Sequence, residues 1–154
     1  MKKILTLIDE GTKIRQNLPA KALDMFTQAL TESESASNEE FRTKSLFNIA
    51  ITYLILGNYN KSISFFQEAL NTRYAETDLE LRAEILRGIA GNNGRKYNYR
   101  EALKYFYMAE EASIKCWHME NLHLVYQGIA SLYSKINLNE KALTYTLRSL
   151  DIAE

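Results

Sequence analysis

The chain repeats itself every 40 residues, and that period constrains its fold more than any other feature. Lys21-Ala22-Leu23, Lys61-Ser62-Ile63, Glu101-Ala102-Leu103 and Lys141-Ala142-Leu143 stand at one phase. Asn48-Ile49-Ala50, Gly88-Ile89-Ala90 and Gly128-Ile129-Ala130 stand at another. A fixed period of this size marks a stack of supersecondary units, each too small to bury its own apolar face. Such stacks present surfaces more than they perform chemistry. The 154 residues hold about four repeats, roughly 1–36, 37–76, 77–118 and 119–154, read as one domain and possibly as a fragment of a longer protein.

Each repeat reads as two antiparallel helices, about eight helices in all. In the second repeat Leu46, Ile49, Ala50 and Tyr53 recur at helical spacing, Gly57-Asn58 stop the helix, and Ile63, Phe66, Ala69 and Leu70 form the next stripe. The third and fourth repeats follow the same plan. The first helix of the first repeat, roughly Lys2 to Gln16, keeps an apolar stripe but lacks the small residue. Asn17 ahead of Pro19 is expected to cap a helix, and four pairs have capping-box spacing: Ser37 with Glu40, Thr77 with Glu80, Asn98 with Glu101, Asn137 with Glu140. Ala50, Ala90 and Ala130 are expected where the helices of one repeat cross; Ala29, Ala69 and Ala109 are expected where one repeat meets the next.

Nineteen basic and nineteen acidic residues cancel, which argues against a nucleic-acid or anionic-membrane binder. No stretch approaches the ~20 apolar residues of a membrane span. The opening Met1 to Ile8 mimics a signal peptide, but Asp9 and Glu10 interrupt it, so it reads as the first helix. Cys116 is the only cysteine; this excludes an internal disulfide and suits a reducing, cytoplasmic setting. Cys116, His118 and His123 cluster in sequence, but their spacing matches no structural zinc pattern and falls on an expected turn. Nothing near them would supply an oxyanion hole. Most aromatic residues, including Tyr53, Tyr59, Tyr99, Tyr133, Phe66 and Phe106, occupy positions expected to pack helices. With no phosphate-binding loop or nucleophile motif, the expectation is a protein without catalytic residues, cofactor or metal.

The second repeat, with Leu46, Ile49, Ala50, Tyr53, Gly57, Tyr59, Ser62, Phe66 and Ala69, resembles the tetratricopeptide repeat. The third is similar through Leu86, Ile89, Ala90, Tyr99, Ala102, Phe106 and Ala109, with Asn93 where the family has Tyr. The fourth is similar through Tyr126, Ile129, Ala130, Tyr133 and Ala142, departing at Thr146 and Ser149; the first only through Ala22, Phe26 and Ala29. The resemblance implies an all-α solenoid of four antiparallel helix pairs in a right-handed superhelix, and a protein- or peptide-binding scaffold. The period exceeds the family's usual 34 residues and resembles arrays from bacterial signalling proteins, which implies a regulatory or sensor module, and also those of eukaryotic scaffold proteins.

In that family the first helices of successive repeats line a groove. The matching positions here are Lys44, Phe47, Ile51 and Leu54; then Glu84, Arg87, Gly91 and Gly94; then Leu124, Gln127, Ser131 and Ser134. Arg87 stands out as the anchor for a ligand or, alternatively, as one half of an ordinary salt bridge to Glu84 or another neighbour, and Gly91 with Gly94 could admit a peptide backbone or merely fray the helix. The family's carboxylate-clamp positions fall on Leu7, Gly11, Phe47, Ile51, Arg87 and Gly91, too few donors for a two-carboxylate terminus. The last helix carries Ala142, Leu143, Leu147, Leu150, Ile152 and Ala153, an apolar band too wide for its own partner alone. Either more chain covers it or a homodimer forms through Leu147 and Leu150.

Overall fold

The computed structural model describes residues 1–154. It is all-α, with α1 (Lys2–Ile14), α2 (Pro19–Ser35), α3 (Glu39–Ile55), α4 (Tyr59–Leu70), α5 (Arg73–Thr77), α6 (Leu79–Arg95), α7 (Tyr99–Lys115), α8 (Met119–Lys135) and α9 (Asn139–Ala153). The helices α2, α3, α6, α7 and α8 are each 17 residues long, and their starts are spaced by 20 residues or multiples of 20. The sequence period of 40 is therefore two steps of 20. No helix is long and apolar enough to cross a membrane.

The turns explain the step. Ser37, Gly57, Tyr97, Trp117 and Asn137 all have positive φ. After α3 the Asn58 N–H donates to the Tyr53 carbonyl at 2.9 Å, and the Gly57 N–H donates to the Leu54 carbonyl at 3.0 Å. The same pair of bonds recurs at the other four turns. This left-handed closure satisfies the last carbonyls of one helix and reverses the chain in three residues. After two of these turns the next residue caps the following helix: Asn38 and Asn58 accept from the N–H groups of Phe41 and Lys61 at 2.9 and 3.1 Å, and Asp78, after α5, does the same for Leu81 at 3.0 Å.

Except at Asn98, the N-caps lie one residue later than the spacing predicts. Ser37 and Asn137 close the preceding helix, and Asn38 and Leu138 stand at the N-caps. Asp78, not Thr77, caps α6, and Leu18, not Asn17, precedes Pro19. Asn98 is at the N-cap of α7 but makes no cap bond; its amide reaches Asn93 Oδ1 at 3.5 Å. A further departure is the ninth helix. α4 stops at Leu70 because the Thr72 hydroxyl bonds back to the Ala69 carbonyl at 2.8 Å and accepts from the Ala75 N–H at 3.2 Å, starting the short α5.

The chain forms two compact halves, Met1–Thr77 and Asp78–Glu154. In the N-terminal half, Ile4, Ile8 and Ala29 pack with Leu7 and Phe41, while Ala22, Phe26 and Ile49 pack with Ile14, Tyr53 and Phe65. α1 does have a small residue at its crossing, one position out of phase: a Cβ on Gly11 would lie 2.7 Å from the Phe26 ring. In the C-terminal half the fully buried side chains include Ile85, Leu86, Ile89, Val125 and Ile129. There α8 packs against α6, α7 and α9. Gly128 lies face to face with the Phe106 ring, with no space for a Cβ.

Candidate functional site

In the C-terminal half, α6 and α8 carry the expected groove positions. Several of them are already engaged within the protein. Glu84 Oε1 pairs with His118 Nε2 at 3.0 Å. Arg87 Nε donates to Asn121 Oδ1 at 2.6 Å, and the buried Asn121 amide donates in turn to Ser113 Oγ at 2.9 Å. Burial pulls the Arg87 pKa down, opposed by the nearby carboxylates of Glu84 and Glu120. Gln127 Nε2 lies 3.1 Å from His123 Nε2, and His123 Nδ1 faces Ser149 at 2.9 Å. These bonds tie α8 to α6 and to α9.

Gly91, Gly94 and Ser131 open onto a cleft of about 290 Å³, also lined by Arg95, Phe106, Gly128, Leu132 and Lys135; Leu124 and Ser134 do not line it. Helix α6 stays continuous through Gly91-Asn92-Asn93-Gly94 rather than fraying, because the Asn92 and Asn93 amides donate to the Gly88 and Ile89 carbonyls at 2.8 and 3.0 Å. The two glycines differ in role. A Cβ on Gly94 would sit 3.2 Å from Leu132 Cδ2, so Gly94 lets α8 approach. A Cβ on Gly91 would meet only the tip of Arg95, at 3.3 Å. Gly91 thus has no packed side chain over it on the cleft wall; only the flexible Arg95 guanidinium lies there, donating to the Gly91 carbonyl at 3.2 Å. No acidic side chain lines the cleft, and Arg95 and Lys135 give it a basic rim. These two cations were not among the expected groove residues, yet they stand 40 residues apart, so the repeat phase itself carried the signal.

In the N-terminal half, Lys44 pairs with Glu40 and lies 5.9 Å from the Tyr74 ring centroid. Phe47 meets Phe66 edge-on at 5.9 Å, and Ile51 and Leu54 are half-buried on α3. Arg15 Nη1 donates to Asn48 Oδ1 at 2.7 Å, joining α1 to α3.

Cys116, His118 and His123 do not converge. The Cys116 thiol donates to the Ala112 carbonyl at 3.2 Å, and the two histidines bond to different helices. At the C-terminal end a second cleft, of about 380 Å³, lies between α8 and α9; Gln127, Ser131, Ser134, Leu143, Thr146 and Leu150 are among its lining residues. Leu143, Leu147 and Leu150 on α9 are 59%, 52% and 53% exposed. Beside it a tyrosine cluster joins α7, α8 and α9. Tyr107 and Tyr133 share a hydroxyl contact, and the Tyr126 hydroxyl donates to Glu110 Oε1 at 3.0 Å. Burial, with the Glu110 bond, pushes the Tyr126 pKa up to about 12.

Residues 40–115 match the family model of the tetratricopeptide repeat. No curated protein matches the chain in sequence. Among solved structures, BtubC (BKLC) from P. vanneervenii superposes with a TM-score of 0.81 at 21% identity, over 97% of this chain and 60% of that one. The nearly identical TPR-like repeats of a putative kinesin light chain from Podosopora anserina give 0.79 at 13% identity, over 97% and 74%. The TPR domain of Arabidopsis FLU gives 0.65 at 18% identity, over 70% of this chain and 92% of that one. These likenesses bear on the fold: antiparallel helix pairs stacked in register. Residues 40–115 thus belong to the tetratricopeptide repeat family, and helix pairs of the same phase continue its fold on either side.

Proposed function

We propose that this module is a non-enzymatic scaffold that holds a peptide or protein segment against α6 and α8. The observation that carries the reading is the main chain at Gly91, covered only by the exposed Arg95 guanidinium on its carbonyl, on the wall of a cleft with an apolar floor and a basic rim. A glycine inside a helix costs about 1 kcal/mol relative to alanine. Here no close neighbour except a flexible arginine tip compensates for it. An extended segment laid across Gly91 could approach the main chain closely, with Arg95 and Lys135 meeting an acidic group and Phe106 and Leu132 meeting an apolar one. The long repeat period supports placing the module as the regulatory or sensor part of a bacterial signalling protein.

The test is to pan a displayed library of random peptides against the protein and to map a selected peptide by amide NMR. Shifts centred on Gly91, Arg95, Ser131 and Lys135 are expected. Shifts confined to other helices, or no selectable binder, would overturn the reading.

A second reading is favoured by Leu147 and Leu150, which lie half-exposed on the terminal helix. In that reading the module self-associates through its C-terminal helices, independently of the cleft.

A further inference from the structure

The repeat symmetry allows the open face of α8 and α9 to be compared, residue by residue, with a face that is already covered. α8 docks on α6 and α7 by pairing His118 with Glu84, Asn121 with Arg87, Tyr126 with Glu110 and Tyr133 with Tyr107, and by seating Gly128 on Phe106. Forty residues on, the receiving positions are Leu124 for Glu84, Gln127 for Arg87, Leu150 for Glu110, Leu147 for Tyr107 and Thr146 for Phe106. Every charge that receives α8 is gone from the terminal face, and three of its four polar receivers have become leucine. A face meant for water would change in the opposite direction.

The change at Thr146 adds shape to this apolar character. On α9, small residues Ala142, Thr146 and Ser149 each directly precede a leucine, at Leu143, Leu147 and Leu150. On α7 the large Phe106 interrupts the corresponding small row. The uninterrupted row borders the 380 Å³ cleft against α8; Leu143 and Leu150 line it too, and Leu147 is exposed on the same helix. One helix therefore carries both a groove and a ridge that fits such a groove. Of the other large exposed apolar residues of the C-terminal half, Tyr97, Trp117 and Leu138 are at turns, Tyr107, Met108 and Ile114 are on α7 and Leu124 is on α8; only α9 carries three beside a cleft row of small residues. Self-complementary surfaces of this kind close by two-fold symmetry, with the same patch used on both partners.

Building on the self-association reading, we infer that α9 pairs antiparallel with α9 of a second copy. Its Leu143, Leu147 and Leu150 enter the partner's α8/α9 cleft, and the two α8–α9 pairs form a four-helix layer. The antiparallel arrangement opposes the helix dipoles and continues the up-and-down packing already present within each copy.

Sedimentation equilibrium of the intact chain across the micromolar range tests this, with helix content followed by circular dichroism. The wild type is expected at twice the chain mass, and Leu147→Glu with Leu150→Glu at the single-chain mass with unchanged helix content. Thr146→Phe, which fills the groove without adding charge, is expected to raise the dissociation constant roughly tenfold. A wild type that stays at single-chain mass at the highest concentration overturns the inference and the self-association reading together. A wild type at twice the chain mass that neither set of substitutions disturbs overturns only the inference, because the copies then pair elsewhere.

Discussion

Small residues act here as spacers, and each can be tested by what it touches. Gly128 has no free volume beside Phe106, so Gly128→Ala is expected to destabilise the fold by about 1–3 kcal/mol through overpacking, and adding Phe106→Leu to recover part of that loss in thermal melts. Ala90 is fully buried, whereas Ala130 borders the α8/α9 cleft. Ala90→Leu should therefore cost about 1–3 kcal/mol and Ala130→Leu distinctly less. Equal costs would contradict the difference in packing.

Tyr126 makes a pH prediction. Its pKa is raised to about 12 in the folded chain, above the ordinary value near 10, so the folded state holds the proton longer than the unfolded state. The stability this provides is complete below about pH 10 and is lost as pH rises towards about 12. Tyr126→Phe should flatten the fall in melting temperature across that window; an unchanged slope would remove Tyr126 from the account. Most of these residues were legible in sequence, since Ala90, Ala130 and Phe106 fall on the repeat phase. Gly11 was not, because α1 runs one residue out of phase with the others and periodicity looks in the wrong place.

At the scale of the element, the turns set the geometry more than the helix stripes do. At Ser37 and Asn137 spacing places the cap on the residue that is needed in the left-handed conformation to close the helix before it. The two roles need different backbone angles, so they fall on successive residues, as at Ser37 and Asn38. Tyr97 and Trp117 hold this conformation with large, exposed side chains, where Gly57 holds it without strain. Tyr97→Gly and Trp117→Gly should each stabilise the protein by about 1 kcal/mol in denaturant melts. A loss at both would mean that the aromatic rings contribute contacts outweighing the backbone cost. The break between α4 and α5 was illegible for a related reason: it depends on the Thr72 hydroxyl, buried against Thr43 Oγ1 at 2.7 Å, a tertiary contact that no local pattern reports.

At the scale of the whole molecule, the fold class was the most legible property, because four in-phase copies of a weak motif reinforce one another. The binding surface was legible only as a register. That register marks the exposed side of α6 and α8 but not which of its residues the protein uses internally. Arg87 shows the difference: a charge that looks free in sequence is bonded to a buried asparagine from the next repeat. The glycine that looks like a helix defect is the residue left open. The account therefore rests on Gly91, and the most direct measurement is the affinity of an NMR-mapped peptide for Gly91→Leu, taken together with the variant's melting temperature. The account predicts at least about a tenfold loss of affinity, or about 1.4 kcal/mol, with no fall in melting temperature. Unchanged affinity in a variant that melts like the wild type would contradict it.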